Sequence, residues 1–304
     1  MGQTAPLSVL VTGASGRIGR AIVVRLALTH RVSGLDRTPS STAEFVGDVC
    51  DRRLLERALD GIDAVVHVAA LHAPHVGLVG DAEFQRINVD GTRTLLLAAR
   101  RAGVRHLVFT STTALYGAAA DPQHRHAAWI DEETPPAPRT VYHRSKLAAE
   151  ALLADAALAD GPAVTLLRMS RCFPEPAPLM AAYRLHRGID ARDVAEAHAL
   201  ALLHPPSTSR CLVVSGATPF EPDDAAQLLN DAPAVIRRRA PALAEAFERR
   251  GWPLPTSIDR VYSSQLAQQV LGWQPRFGFD EVLREFDACS PEVLPPRTDW
   301  NAVE

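Results

Sequence analysis

Two residues in the stretch VYHRSK (141–146), Tyr142 and Lys146, are of types that can act together on a proton. The alanine-rich run behind them reads as helix, and residues four apart on a helix share a face one turn apart. A free phenol has a pKa of about 10, too high for a base at neutral pH. A nearby ammonium favours the phenolate. Taken alone the pair has two readings: a surface pair on an amphipathic helix, or a phenol tuned to exchange a proton. Y-x-x-x-K recurs by chance, so the rest of the chain must decide.

A second constellation lies at the other end. TGASGRIG (12–19) follows the apolar run LSVLVTG and opens a helical pattern. Gly13, Gly16 and Gly19, with Ser15, Arg17 and Ile18 between them, form a turn whose backbone N–H groups can approach a pyrophosphate. The N-terminus of the following helix adds partial positive charge. Asp36 ends the next strand. A carboxylate there accepts hydrogen bonds from ribose hydroxyls and repels a 2′-phosphate, which favours NAD over NADP. Arg37 follows and is of a type to bind that phosphate. Asp48 and Val49 come after a third short strand, where an acid can reach the adenine amino group.

These residues need a scaffold that brings them together. Short apolar runs at 7–13, 31–36, 44–48, 63–70, 105–112, 163–170 and 210–216 read as strands. Helical spacing marks 16–28, 51–59, 82–103, the run after VYHRSK, and 190–204. Alternating strands and helices imply a doubly wound parallel sheet covered on both faces. The last ninety or so residues read as mostly helical, broken by prolines.

Bulk properties exclude some classes. The net charge of −3, from 32 basic and 35 acidic residues, gives no field for nucleic acid or an anionic membrane. Cys50, Cys172, Cys211 and Cys289 are scattered without a C-x-x-C pair, so neither a metal site nor a disulfide framework is expected. The N-terminus lacks a signal-peptide pattern and no run reaches the ~20 apolar residues of a membrane span, so a cytoplasmic protein is expected.

With TGASGRIG, GDV, HVAA, INVDGT, FTSTTALYG and YHRSK in order, residues 7–216 resemble the extended short-chain dehydrogenase/reductase family, also called the NAD-dependent epimerase/dehydratase family. The ending LGWQP (271–275) is similar too. The resemblance implies a Rossmann-type domain over 1–170, to which 190–216 returns, and a small substrate-binding lobe from 171–189 and 217–304. It implies NAD contacts from the glycine loop, Asp36, the cleft-lining pair Ala69 and Ala70, and Tyr142 and Lys146. Asn88 matches an asparagine that steadies the active-site helix and is grouped with the cofactor site. Thr112, Tyr142 and Lys146 match the catalytic set, with Ser111 as the alternative hydroxyl. His72 and His75 fall where relatives touch substrate. The helices at 82–103 and 141–159 match a pair that forms a homodimer interface.

The chain also departs from the family pattern. The insert that helps nucleotide-sugar epimerases hold their nucleotide is nearly gone between RMSRCFPEP (168–176) and DARDV. Prolines stand where such epimerases carry a diphosphate-gripping arginine, with Arg249, Arg250 and Arg260 nearby. RMSRCFPEP resembles a run in uronate dehydrogenases, which oxidise a free sugar acid. Arg171 can fork onto a substrate carboxylate or phosphate. Three functions are carried forward: an oxidoreductase acting on a sugar, sugar acid or polyol; a nucleotide-sugar 4-epimerase with retained NAD; and a catalytically silent NAD-binding regulator.

Overall fold

Seven short aliphatic runs pair side by side in a single parallel sheet. The structure is a computed structural model and describes residues 5–117, 125–159 and 161–296. In chain order the first half holds β1 (Ser8–Thr12), α1 (Arg17–Leu26), β2 (Arg31–Asp36), β3 (Phe45–Val46), α2 (Arg52–Ala58) and β4 (Ala64–His67). There follow α3 (Asp81–Phe84), α4 (Gly91–Arg101), β5 (His106–Thr112), β6 (Ala128–Ile130), α5 (Val141–Leu158) and β7 (Ala163–Met169). The remainder holds α6 (Ala177–Tyr183), α7 (Ala191–Leu203), β8 (Ser209–Val214), α8 (Ala225–Asn230), α9 (Ala232–Arg239), α10 (Pro241–Arg249), β9 (Arg260–Tyr262), α11 (Gln265–Leu271) and α12 (Phe279–Asp287).

The sheet order is β3-β2-β1-β4-β5-β7-β8. From β1 the chain moves outward through β2 and β3, then returns to the other side of β1 with β4. The winding reverses between β1 and β4, and a crevice opens at the carboxyl ends of strands at such a point. Alternation along each strand builds two cores. Val9 and Val11 face α1 and α7 with Ile22, Leu26 and Leu202. Leu10 faces the opposite layer with Leu55, Leu95 and Leu153.

Three features depart from the expected layout. The pattern at 82–103 is not one continuous α-helix: residues Gln85–Asp90 take π-helical geometry between α3 and α4. β6 pairs in parallel with β9, a contact that neither segment's composition signals. Ala127 packs into the lobe core with Met180, Phe220, Leu243 and Phe247. Conversely Ala267, Leu271 and Trp273, from the expected lobe, pack into the sheet's core. No helix among the described residues is long and apolar enough to cross a membrane.

Trp273 explains why LGWQP lies against the sheet. It is fully buried, and its indole N–H donates to the Asp193 carbonyl at 3.0 Å. The Asp193 carboxylate accepts the backbone N–H groups of Arg276 (2.9 Å) and Phe277 (3.0 Å). One tryptophan and one aspartate thereby fix the C-terminal segment to α7. Trp273→Ala should cost about 3–5 kcal/mol in urea unfolding, the range for emptying a buried aromatic site. A loss below ~1 kcal/mol would show that this anchor is dispensable.

Candidate active site

A cleft of about 770 Å³ runs along the carboxyl ends of the strands. Its first wall is the glycine loop. Gly13 has φ +73°, and a Cβ there would lie 2.7 Å from the Ala69 backbone nitrogen, so the loop after β1 touches the end of β4. A Cβ on Gly19 would lie 2.0 Å from the Gly13 carbonyl oxygen, so α1 abuts the loop only because that side chain is absent. α1 has no side-chain cap and no acid in its first turn. Its free N–H groups and the loop suit a pyrophosphate.

Asp36 lines the same wall. Its carboxylate accepts the Ser15 N–H at 3.0 Å and the Thr38 N–H at 2.8 Å, which fixes its orientation. Ser15 thus orients Asp36 through its backbone N–H. Its hydroxyl donates to the Thr38 carbonyl. Asp48 lines the cleft beside Val49 and Ile87, with its carboxylate held by Arg86 at 2.9 Å. Ala69, Ala70 and Leu71 continue the wall past β4. The set fits an NAD molecule: loop for pyrophosphate, acid for ribose, apolar slot for the rings.

Asn88 does not line the cleft. From the π-helical turn its side chain accepts the Leu71 N–H (2.7 Å) and donates to the Leu71 carbonyl (2.9 Å) and to Ser145 Oγ (2.9 Å). It joins the loop after β4 to α5.

The second wall carries the residues met first. Thr140 caps α5 by accepting the His143 N–H. Tyr142 and Lys146 follow on the buried face, 8% and 2% exposed. Thr112, at the end of β5, lines the cleft with Tyr142, and the Ala114 backbone N–H donates to its hydroxyl at 3.1 Å. Burial pushes this phenol up to about 12, with Thr112 acting in the opposite direction. The Lys146 ammonium donates to the Thr110 carbonyl at 2.7 Å and stands 3.8 Å from the centre of the Phe109 ring. Burial pulls it down to about 7, opposed by Glu150 one turn further along α5.

Strand alternation decides between the neighbouring hydroxyls. Thr110 turns to His198, at 2.8 Å, under one face of the sheet. Ser111, which also lines the cleft, turns to the other face and donates its hydroxyl to Glu150. Glu150 in turn receives Arg168 at 2.6 Å, and Arg168 donates to the Tyr116 hydroxyl at 2.7 Å. Thr112 alone of the three acts on the Tyr142 phenol, favouring its ionised form.

The far end of the cleft holds His72 and His75, whose rings meet edge-on at 4.6 Å, and Phe173, stacked on His72 at 5.8 Å. Arg171 lines it, paired to Glu175 at 2.7 Å. Of the three C-terminal arginines, only Arg260 reaches the cleft. Arg249 pairs with Glu245 and Arg250 with Asp287. Tyr183, Arg187, Tyr262 and Glu292 also line the cleft, and sequence reading missed them. Their segments match no motif, and only the packing of the lobe against the sheet brings them there. Glu292 pairs with Arg17 of the glycine loop.

A sequence model described as the NAD dependent epimerase/dehydratase family matches residues 9–177. The N-acetyl-alpha-D-glucosaminyl-diphospho-ditrans,octacis-undecaprenol 4-epimerase of Escherichia coli O157:H7 is 34% identical over 149 residues, 48% of this chain and 42% of that protein. The NAD-dependent glucose-6-phosphate dehydrogenase of Haloferax volcanii is 32% identical over 161 residues, 47% of this chain and 60% of that protein. The crystal structure of Thermus thermophilus UDP-glucose 4-epimerase in complex with NAD has a TM-score of 0.66 and 27% identity, covering 91% of this chain and 97% of that one. The chain spans about half the length of the curated relatives it matches.

The buried ammonium predicts a pH effect that needs no substrate. Lys146 keeps its proton to about pH 10 in the unfolded chain but only to about 7 when folded. Between those values the unfolded state binds more protons, so this residue's penalty shrinks as pH rises. Lys146→Met should therefore raise the melting temperature of the cofactor-free protein more at about pH 6 than at about pH 10. An equal or reversed difference would show that the ammonium is not desolvated.

Proposed function

This chain belongs to the NAD dependent epimerase/dehydratase family, whose members use NAD, and on that premise we propose that it is an oxidoreductase acting on a sugar, sugar-acid or polyol carbinol. NAD, when bound, supplies the hydride acceptor and donor. The observation that carries the reading is that Thr112, Tyr142 and Lys146 line one cleft, with Lys146 one turn along α5 from Tyr142. Tyr142 takes the proton from the carbinol oxygen, and in reverse returns it to the carbonyl. Thr112 holds that oxygen. In this reading Lys146 holds the nicotinamide ribose and brings positive charge to the phenol, which by itself stays protonated until about 12.

Two findings support a dehydrogenase that exchanges its cofactor. Only α6 and a short turn stand between Pro176 and Asp190, where the nucleotide-binding insert of epimerases would lie. A relative of similar identity is named as an NAD-dependent dehydrogenase of a free sugar phosphate. The second reading, a nucleotide-sugar 4-epimerase with retained NAD, draws on the relatives named as 4-epimerases. Purification followed by release and identification of bound nucleotide separates the two, because an epimerase holds its NAD through turnover.

Tyr142→Phe keeps the ring and its packing but has no proton to exchange. It should lower turnover by at least about 10²-fold and leave NAD affinity largely unchanged. Retention of more than about a tenth of wild-type turnover would mean another group moves the proton. Asp36→Asn should narrow the preference for NAD over NADP in direct titrations, and an unchanged preference would assign that selectivity elsewhere.

A further inference from the structure

Arg171 and Arg187 lie far apart in the chain's local patterning but are bridged by their backbones. The Arg171 N–H donates to the Arg187 carbonyl at 3.0 Å, and the Ile189 N–H donates to the Arg171 carbonyl at 2.9 Å. This bridge places both side chains at one end of the cleft, on one aromatic ring. Their guanidinium carbons stand 5.7 Å and 4.3 Å from the centre of Tyr183. Arg260, from β9, lines the same end.

The local charges do not balance. Arg171 takes Glu175. Asp259 is shared: it binds Arg260 at 2.8 Å and reaches Arg187 only at 3.7 Å. Among the described residues, three guanidiniums thus face two carboxylates. The Nε of Arg187 is buried and has no hydrogen-bond partner among the described residues. The same is true of the hydroxyl of Ser170, beside Arg171, a residue 3% exposed that lines the cleft. Buried donors are ordinarily paired, so two unpaired ones in a cleft call for an acceptor. A guanidinium fork with spare N–H groups recognises an oxyanion above other acceptors.

Extent also matters. Among the described residues, none between Arg187 and Arg260 lines the cleft, so the helices α8, α9 and α10 give no surface against which a nucleoside could lie.

We propose that the substrate carries one terminal oxyanion, a phosphate ester or a carboxylate, bound between Arg171 and Arg187. This rests on the reading that the cleft takes a sugar-like carbinol. The anion is the anchor, and it sets the carbinol's distance from Tyr142.

The test is a binding titration on NADH-loaded protein, in which a carbinol has no acceptor for its hydride. The probes are glucose 6-phosphate, glucuronate, glucose and UDP-glucose. Glucose 6-phosphate or glucuronate should bind about tenfold or more tighter than glucose, and whichever does so identifies the anion as phosphate or carboxylate. Arg187→Met should abolish that preference without changing NADH affinity, and Arg187→Lys should restore part of it, because charge remains while the fork is lost. Arg171→Met should act in the same direction. Equal affinity for glucose and both anionic sugars, tightest binding of UDP-glucose, or a preference that survives Arg187→Met would overturn the proposal. The readout is independent of turnover. Loss of proton transfer on a different residue would sink the catalytic reading and leave this one standing, and absence of any anion preference would do the reverse.

Discussion

The two walls of the cleft meet through one buried side chain. Asn88 is 2% exposed, and three hydrogen bonds tie it to both backbone groups of Leu71 and to Ser145. Ser145 passes the connection on by donating to the Tyr142 carbonyl at 2.9 Å. The loop that flanks the glycine turn and the helix that carries Tyr142 are thereby held in fixed relation. The π-helical turn makes this possible. It lets a helix that runs along the sheet also point a residue into the space between two loops, a use to which such bulges are often put. The geometry around Tyr142 and Lys146 depends on this junction.

α5 is the other organising element, and its chemistry is a matter of desolvation. Tyr142, Lys146 and Glu150 lie at successive i,i+4 positions on one buried face. Burial pushes the phenol up and the ammonium down. Glu150 is matched by Arg168 and by Ser111, so the carboxylate of the stack is well paired. Removing Arg168 would leave that carboxylate unmatched, which is costly in a low-dielectric interior. Lys146 is the member held nearest neutrality. It donates to the Thr110 carbonyl, and Thr110 is itself held by His198 beneath the sheet.

The C-terminal segment connects the ends of the cleft. Glu292 pairs with Arg17 at the glycine loop. Two residues on, the Leu294 N–H donates to the Glu175 carbonyl at 3.0 Å, and the Glu175 side chain holds Arg171. One strap therefore touches the residue that flanks the pyrophosphate position and the one that flanks the far end of the cleft. Trp273 and Asp193 hold the chain upstream of it against α7.

Much of this protein was legible in the sequence because the signals are local. The parallel sheet follows from apolar runs alternating with helical spacing. The glycine loop follows from a φ and a close approach that only glycine allows at Gly13, and Asp36 from its place at a strand end. The approach of Thr112 and Tyr142 follows from ordered motifs. What was not legible depends on where side chains point and on distant segments meeting. Ser111 and Thr112 are adjacent and chemically alike and both line the cleft, and only the placement of β5 between its two layers turns the Ser111 hydroxyl to Glu150. The bonds of Ser15 to Asp36 and of Asn88 to Leu71 and Ser145 carry no signal in their motifs. The pairing of β6 with β9, and the meeting of Arg171 with Arg187 on Tyr183, carry no local pattern. The displaced titrations of Tyr142 and Lys146 are tertiary for the same reason: a sequence names an ionisable group, but its pKa is set by the water that the surrounding fold removes.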